Sequence, residues 1–326
     1  MVSKNIYKII LSIASVILLT SGFLSCTGAE STNNPQTSNI SDLKWQVMYS
    51  QDTNLSRIWG ISSSDVFCVG DNGLILHFDG KSWSMMDSST SQDLCGIWGD
   101  SSKDIFVVGD GGVVLHFDGN KWSQIAVLDT KFLVSIWGSS PTDIFSTGSN
   151  GTIFHFNGNN WKAMDTNLNY TLNGYKFIPP LVNISGSSGT NVFVVGDCLT
   201  IIHFNGIKWE IIHNDENRID SVMGIWVSSQ KLVYFVGQIG RVISYDGNKL
   251  REINTGTKMD LIDIWGSSPN DIYAVGQSGI VLHFDGKHWN NIESGIKEDI
   301  ESIWGASSSD IFAVTLKGKI LHYTGN

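Results

Sequence analysis

A sequence frame of about 40 residues recurs seven times between residues 44 and 326. Residues 97–122 read IWGDSSKDIFVVGDGGVVLHFDGNKW, and residues 264–289 read IWGSSPNDIYAVGQSGIVLHFDGKHW. The anchor position of the frame is a tryptophan in every copy but one: Trp59, Trp98, Trp137, Ser185, Trp226, Trp265 and Trp304. A period of this length is typical of a propeller blade with four short strands. The repeat therefore predicts an all-β, seven-bladed β-propeller with four antiparallel strands per blade.

Each copy of the frame divides into four strands separated by turn signals. The first strand ends in Ile-Trp-Gly in most copies, and a polar loop such as 139–142 leads to the second strand. The turn before the fourth strand contains Asp-Gly or Asn-Gly in most copies, which supplies the positive φ of a tight hairpin. Since no segment of the repeats has a long apolar period of 3.6 residues, we expect almost no helix.

The ends of the repeat region predict how the ring closes. The seventh copy stops at Gly325-Asn326, before its own fourth strand. Trp45 precedes the first anchor by 14 residues, close to the 15 residues that separate Trp83 from the next anchor. We therefore expect a strand at 44–48 to complete the last blade and leave no open edge. All 12 tryptophans then occupy frame positions, which favours a role in the core over a stacking site for a ligand.

The first 26 residues predict an export signal. Lys4 and Lys8 precede a largely apolar run at 9–19, and Phe-Leu-Ser-Cys follows at 23–26. The segment resembles a bacterial lipoprotein signal with Cys26 as the acylated residue; simple signal cleavage and an uncleaved anchor are the alternatives. Residues 27–41 have the composition of a flexible tether, and 42–326 form the propeller. We expect an extracytoplasmic, membrane-anchored lipoprotein, with secretion as the alternative.

The remaining cysteines, Cys68, Cys95 and Cys198, are odd in number and give no disulfide framework. Cys68 and Cys95 replace apolar residues in strand-like runs, so we expect small buried side chains. A bridge between these two is the alternative in an oxidising compartment.

The chain is acidic, with 31 Asp and Glu against 21 Lys and Arg and a net charge of -10. Nucleic-acid binding needs a positive patch that displaces counterions, so the charge argues against that class of partner. We expect a monomer without a cofactor.

Six histidines occupy one position on the third strand of the frame: His77, His116, His155, His203, His283 and His322. A ring of metal ligands is one interpretation of such a series. The second strand begins with Asp or Asn in the same six copies, and the fifth copy lacks both residues, with Leu232 and Ser244 instead. A joint loss is expected of two side chains that touch. We therefore predict hydrogen-bonded pairs that fix a turn, and no metal site.

Residues 44–326 resemble bacterial secreted propellers with repeats of the form IWG-SSPxD-(I/V)-(F/Y)-xVG-xxG-xxLH(F/Y)DG-xxW. The resemblance is to the broad group described as BNR or Asp-box-like, or as similar to photosystem II assembly-factor propellers. It implies the fold of the whole mature domain and little about activity. Two departures stand out: residues 77–83 have Gly directly after Asp, unlike a true Asp-box, and the chain has four arginines, whereas the assembly factors bind partners partly through arginines.

Two classes of function remain after these observations. The first is a non-enzymatic binding or scaffold propeller at the cell envelope that engages a protein or glycan partner through one face. The alternative is a glycoside hydrolase of sialidase type, which holds a carboxylate with three arginines. The four arginines, Arg57, Arg218, Arg241 and Arg251, do not fall at equivalent inner positions, and GxSxG, HExxH and CxxC motifs are absent. We therefore expect no enzyme and no catalytic residues.

The candidate partner site lies on the face that carries the connections from each fourth strand to the next first strand, because these connections vary most. The insert at 162–182 holds Tyr170, Tyr175 and Phe177, and exposed aromatic side chains on a loop are typical anchors for a partner. The alternative is a lid whose aromatic side chains fill the gap left by Ser185. Near the mouth of the channel we expect three further contacts from the least uniform position of the first strands: Arg57, Asn183 and Asp263.

Overall fold

The computed structural model describes residues 45–172, 175–215 and 217–325. Within these ranges the strands form seven antiparallel sheets of four strands and one separate two-stranded hairpin. The sheets are the blades of a seven-bladed propeller, as the repeat predicts. We number the blades 1 to 7 in chain order. The predicted signal at 1–26, with Cys26, and the tether at 27–41 lie outside the described residues.

The strands follow the frame of the repeat. The first strand of the chain, which belongs to blade 7, is β1 (Trp45–Ser50). Blades 1 to 3 contain β2 (Leu55–Ser62), β3 (Asp65–Gly70), β4 (Ile75–Phe78), β5 (Trp83–Met86), β6 (Leu94–Ser101), β7 (Asp104–Gly109), β8 (Val113–Phe117), β9 (Trp122–Val127), β10 (Leu133–Ser140), β11 (Asp143–Gly148), β12 (Ile153–Phe156) and β13 (Trp161–Met164). The separate hairpin contains β14 (Tyr170–Leu172) and β15 (Tyr175–Phe177).

Blades 4 to 7 contain β16 (Leu181–Ser188), β17 (Asn191–Gly196), β18 (Ile201–Phe204), β19 (Trp209–His213), β20 (Val222–Ser229), β21 (Leu232–Gly237), β22 (Arg241–Tyr245), β23 (Leu250–Ile253), β24 (Leu261–Ser268), β25 (Asp271–Gly276), β26 (Val281–Phe284), β27 (Trp289–Ile292), β28 (Ile300–Ser307), β29 (Asp310–Thr315) and β30 (Lys319–Thr324). Helical structure in the described ranges is limited to 3-10 turns of three residues: Asp71–Gly73, Ser149–Gly151, Gln238–Gly240 and Gln277–Gly279. None of these is long and apolar enough to cross a bilayer.

The N-terminal strand closes the ring. β1 pairs antiparallel with β30, and Trp45 lies opposite Tyr323. The Trp45 side chain is only 2% exposed, and its ring centroid lies 5.3 Å from that of Tyr323. The closure predicted from the position of Trp45 is confirmed, and it removes the unpaired edge that blade 7 would otherwise present.

The hydrophobic core is divided among the junctions between blades. Seven clusters of buried side chains each combine residues from two neighbouring blades, and one of them joins blade 7 to blade 1. The second strand of each blade is buried along most of its length because it is covered on both sides. Stability therefore depends on contacts between neighbouring repeats around a closed ring.

The Ile-Trp-Gly motif links each blade to the next. A Cβ atom placed on Gly99 of blade 2 would lie 2.7 Å from Cη2 of Trp59 in blade 1, so the indole packs directly on the glycine backbone. The same contact joins five further pairs: Trp98 and Gly138, Trp137 and Gly186, Trp226 and Gly266, Trp265 and Gly305, and Trp304 and Gly60. At the junction of blades 4 and 5, Ser185 replaces the tryptophan and Val227 replaces the glycine. Val227 is larger than the glycine it replaces and packs against the buried cluster between these two blades.

The six histidines of the third strands form the predicted structural pairs. Each Nε2 atom lies 2.6 to 2.8 Å from the side-chain oxygen of the aspartate or asparagine that begins the second strand of the same blade. The imidazoles also stack on an aromatic ring of the second strand, as His77 does on Phe67 at 4.3 Å. These pairs fix the turns at one face of every blade except blade 5.

Cys68 and Cys95 are buried and are not joined by a disulfide bond, so the expectation of small core side chains is met. Burial raises the pKa of the Cys68 thiol, which keeps it protonated and unreactive.

Candidate functional site

The two faces of the propeller carry different kinds of connection. The upper face carries the links from each outermost strand to the next innermost strand, together with the turns between second and third strands. The lower face carries the other two turns of each blade, including the histidine pairs. Lower-face turns repeat almost letter for letter, whereas upper-face segments differ in length and chemistry. The upper face is therefore the one whose variation leaves room for a functional site.

A ring of seven residues lies where the innermost strands begin, on the upper side of the axis. Each innermost strand contains a β-bulge here. The residue type that follows the bulge differs from blade to blade. The members of this axial ring are Arg57, Gly96, Ser135, Asn183, Gly224, Asp263 and Ser302. All three channel residues predicted from the sequence belong to it.

Asn183 uses its amide to connect three blades. Its Oδ1 accepts hydrogen bonds from Ser135 Oγ at 3.1 Å and from the Ile184 backbone N–H at 2.9 Å. Its Nδ2 donates to the Met223 carbonyl oxygen at 3.0 Å. The side chain is buried, so Asn183 holds the ring of innermost strands together and has little capacity left for a ligand.

Asp263 and Arg57 lie together on the opposite side of the axial ring. Asp263 accepts hydrogen bonds from Ser302 Oγ at 2.8 Å and from the backbone N–H groups of Ile303 and Ile264 at 3.1 and 3.0 Å. Burial raises the pKa of Asp263, and the positive charge of Arg57 works against that rise. The carboxylate is thus a structural group that also sets the electrostatic environment of Arg57.

Arg57 is the most accessible of the three predicted ring contacts. Its Nη1 donates to the carbonyl oxygens of Ser56 and Glu301, each at 3.2 Å, and no other hydrogen bond of this guanidinium is found in the described part of the chain. The side chain is half-buried. A guanidinium has five N–H donors, so Arg57 keeps donors for a group that enters the mouth of the channel.

The insert between blades 3 and 4 packs down on the propeller. Tyr170 is 1% exposed, and its hydroxyl lies 3.0 Å from Thr200 Oγ1 in the upper turn of blade 4. Its ring joins a core cluster with Leu168 and Cys198. The expectation that Tyr170 is an exposed anchor is therefore wrong, because burial of the phenol ring and its hydrogen bond hold it in the core.

The rest of the insert is less buried. Phe177 packs against the same cluster, and its ring meets that of Tyr170 edge-on at 5.9 Å. Tyr175 pairs with Leu172 through the backbone of the hairpin, and its side chain lies outside the described part. The alternative of a lid describes Tyr170 correctly, but the tyrosine contacts Thr200 and joins the cluster between blades 3 and 4, whereas the missing indole of Ser185 belongs to the junction of blades 4 and 5. Partner binding by Tyr175 and Phe177 stays a prediction.

The upper turn of blade 4 contains a buried carboxyl group. Asp197 accepts a hydrogen bond from Ser221 Oγ at 2.5 Å, and its own backbone N–H donates to the Pro180 carbonyl oxygen at 3.1 Å. Burial raises the pKa of Asp197 to about 6, and the hydrogen bond from Ser221 offsets part of that rise. The same turn places Cys198 and Leu199 in the left-handed region, at φ 58° and 50°.

Sequence reasoning missed three exposed apolar residues on the upper face. They are Ile219, Ile239 and Met259, which lie on neighbouring segments of blades 5 and 6. Ile239 has φ 56°, a left-handed conformation that isoleucine rarely adopts. A comparison of the seven upper turns could have found it, since this position elsewhere holds residues such as Asn72, Asn150 and Ser278.

The structure provides no cluster for metal binding or for a sialidase-like site in the residues it describes. No group of three or more histidine, cysteine, aspartate or glutamate side chains within those ranges is placed to hold a metal ion. Of the four arginines, only Arg57 lies on an innermost strand. The others are placed elsewhere: Arg218 in a loop, Arg241 at the start of β22 and Arg251 on β23.

Solved structures show the same fold. A structure described as YCF48 bound to D1 peptide superimposes with a TM-score of 0.70 at 16% identity and covers 87% of this chain and 97% of that chain. YCF48 from Cyanidioschyzon merolae gives 0.69 at 17% identity, covering 86% and 98%. The WD40 β-propeller domain of Doa1 gives 0.69 at 14% identity, covering 86% and 96%. No family model and no curated protein matches the sequence. At these identities the likeness concerns the fold.

Proposed function

We propose that this chain is a non-enzymatic binding propeller that holds a protein partner on its upper face, at the mouth of the axial channel. The observation that carries the proposal is the half-buried Arg57, which keeps N–H donors for a ligand in a ring whose other polar members bond to each other. A peptide is bound by one propeller of the same fold, which supports a protein as the class of partner. A glycan is the other class that the sequence leaves open.

We also propose that the propeller is attached to the outer side of a membrane through an acylated Cys26. The signal-like run before Cys26 and the tether-like composition after it support this location. A variant with Cys26→Ala should leave the membrane fraction, because one lipid-modified residue would carry the attachment. A variant that still sediments fully with membranes would show that the N-terminal segment itself is the anchor.

Capture from cell-envelope extract tests the binding proposal. Tagged full chain is compared with Arg57→Ala, and Arg251→Ala serves as the control because Arg251 is exposed on an outermost strand and pairs with Asp246. We expect the wild type and Arg251→Ala to retain the same protein and Arg57→Ala to lose it. All three should unfold cooperatively, with Arg57→Ala at a somewhat lower denaturant concentration because it loses two hydrogen bonds. Treatment of the extract with a protease should abolish capture.

Retention of the same protein by Arg57→Ala would contradict a site at the channel mouth. Capture that survives protease treatment and depends on Arg57 would instead identify a glycan partner. Turnover of a glycoside substrate by the wild type would contradict the non-enzymatic proposal.

A further inference from the structure

Ile239 occupies a turn position that disfavours its side chain. Its φ of 56° lies in the left-handed region, where a β-branched side chain crowds the backbone. The equivalent positions of other blades with left-handed residues hold side chains that suit the turn better or are smaller: Asn72, Gly111, Asn150, Cys198 and Ser278. The backbone of this turn therefore does not explain the choice of isoleucine.

The hydrogen bond made by the turn does not require isoleucine either. The Ile239 backbone N–H donates to Asp260 Oδ1 of the next connection at 2.8 Å. Asn72 makes the same bond to Asp93 at 2.9 Å, and Ser278 makes it to Asp299 at 2.8 Å. Three turns thus have the same backbone contact with three different side chains, and only the isoleucine is both strained and strongly apolar.

Burial does not offset the strain, because the Ile239 side chain is 53% exposed. In this respect it differs from Leu199, which is also left-handed but is buried in the core between blades 4 and 5. Backbone strain that brings no stability to the folded chain is typical of residues retained for a function.

Two further exposed apolar side chains lie on the segments next to Ile239. Ile219 is 75% exposed and Met259 is 42% exposed. The segment with Ile219 is joined to the turn of Ile239 by a hydrogen bond from the Gln238 N–H to the Ser221 carbonyl oxygen at 3.1 Å. The segment with Met259 is joined to the same turn by the hydrogen bond from the Ile239 N–H to Asp260. Ile219, Ile239 and Met259 therefore lie on three neighbouring, hydrogen-bonded segments at the upper edge of blades 5 and 6, and we call these three residues the apolar row.

A groove continues the apolar row beyond Met259. Its volume is about 300 Å³, within the range of small ligand sites. Four apolar side chains line it, Met259, Ile280, Ile292 and Ile296, between polar residues that include Gln277, Asn291 and Glu293. The groove thus combines apolar contacts with hydrogen-bonding groups and one carboxylate. This combination suits an apolar side chain followed or preceded by a basic one.

The charge of the surrounding segments also favours a basic partner. Among the described residues, the upper segments of blades 5 and 6 carry seven acidic residues and four basic ones: Asp215, Asp220, Glu252, Asp260, Glu293, Glu298 and Asp299 against Arg218, Arg241, Lys258 and Lys297. Lys319 of blade 7 pairs with Glu298. Both arginines are already paired with carboxylates of this set. A second copy of this acidic chain would be repelled, whereas a basic segment would be attracted.

We propose that the apolar row and its groove bind an extended segment of another protein that presents an apolar side chain next to lysine or arginine. The inference rests on the proposed function and extends it from the axial ring to the edge of blades 5 and 6. Ile239 is the central contact, and the strain of its turn is retained because the exposed side chain is needed for binding.

Selection of random linear peptides displayed on phage against the full chain tests this proposal. The selected peptides are then titrated against the wild type, Ile239→Asn and Ile207→Asn. Ile207 is the matched control because it is an isoleucine, 89% exposed, in a lower-face turn. We expect the peptides to share an apolar residue beside Lys or Arg. We expect the Ile239→Asn variant to bind them about tenfold more weakly or worse, on the scale of a central interface residue.

Denaturant unfolding accompanies the titration and separates binding from folding. Ile239→Asn should unfold at the same or a higher denaturant concentration than the wild type, because asparagine tolerates the left-handed turn. Ile207→Asn should keep wild-type affinity. A loss of affinity in a fully folded Ile239→Asn variant would then be a loss of contact.

Three results would overturn the proposal: equal binding by the Ile239→Asn variant, selection of acidic peptides, or no enrichment of any peptide. If the selected peptides depend on Arg57 and not on Ile239, the apolar row is not the site and the proposed function survives. If no peptide is enriched and envelope capture is also independent of Arg57, both proposals fail.

Discussion

Blades 4 and 5 depart from the repeat far more than blades 2 and 6, and their departures are of two kinds. Some come with a second change at the same junction, as where Ser185 stands in place of the tryptophan and Val227 in place of the glycine. Blade 5 likewise lacks both members of the histidine pair, with Leu232 and Ser244. Compensated changes preserve packing and indicate a structural role.

Other departures in the same blades have no compensating change. Leu199 and Ile239 both lie in the left-handed region that bulky side chains rarely adopt, and Ile239 is also exposed. Both lie in upper turns. In blades 2 and 6 the corresponding turns contain Gly111 and Ser278, which suit the left-handed region better. Paired changes are thus found within the frame of the repeat. Residues that disfavour their backbone conformation and have no matching second change lie on the upper face of blades 4 and 5.

The largest effect is expected from breaking the regular part of the ring. Deletion of residues 42–48 removes Trp45 and most of the strand that closes blade 7, so the free energy of unfolding should fall by several kcal/mol, about the cost of a large core truncation or more. Denaturant unfolding measures it. Deletion of 27–41 is the control and should change stability by less than about 0.5 kcal/mol. Unchanged unfolding after the 42–48 deletion would contradict closure by β1.

The next effect concerns the insert on blade 4. Tyr170→Ala should lower the free energy of unfolding by about 3 to 5 kcal/mol, because it empties a buried aromatic site. Tyr170→Phe keeps the ring and loses only the contact with Thr200, so it should cost about 1 kcal/mol. A Tyr170→Ala variant as stable as the wild type would show that the insert is not part of the core.

The buried carboxyl of Asp197 should make stability depend on pH. Its folded pKa of about 6 lies above its ordinary value of 3.8, so the folded state favours the protonated form. The contribution of this group to stability is present below pH 4 and is lost as pH rises through 6, by up to about 3 kcal/mol.

Asp197→Asn isolates this contribution, since the amide oxygen can still accept the hydrogen bond from Ser221. The variant should equal the wild type at pH 4 and exceed it at pH 7. Asp110→Asn in blade 2, where the corresponding aspartate is half-buried, is the matched comparison. Equal pH profiles for Asp197→Asn and the wild type would show that the carboxyl is not desolvated.

A double-mutant cycle tests the compensated pair. Ser185→Trp alone should overpack against Val227 and cost about 2 kcal/mol, and Val227→Gly alone should leave a cavity of similar cost. The double variant recreates the regular Trp-Gly contact and should recover most of the loss, a coupling of about 1 to 3 kcal/mol. Additive losses would mean that the two positions do not share one space.

The repeat predicted most of the fold because every blade repeats the same contacts. The Ile-Trp-Gly motif, the histidine pairs and the position of Trp45 each imply one geometry, and all three are found. The candidate site was harder to predict. The sequence correctly assigned Arg57, Asn183 and Asp263 to one ring. Only the structure shows that the polar atoms of Asn183 and Asp263 are hydrogen-bonded to neighbouring blades.

Two features of the site could not be read from the sequence in isolation. The sequence does not show whether an aromatic residue in a loop is exposed or buried. Tyr170 was expected on the surface and is buried in the core. Ile239 is unusual because of its left-handed φ, which the sequence does not show; isoleucine in an extended strand is common. Both depend on how a local segment packs on its neighbours, which the frame does not specify.

Hydrogen exchange with and without a selected peptide tests most directly whether the unpaired departures mark a binding surface. We expect slower exchange on peptide addition at 218–221, 238–241 and 257–260, the three segments that carry the apolar row. The Gln238 N–H donates to the Ser221 carbonyl oxygen and the Ile239 N–H to the Asp260 carboxylate, which joins these segments. Lower-face turns such as 79–82 and 205–208 should exchange at unchanged rates. Protection confined to the lower-face turns, or absent from all three upper segments, would contradict the account.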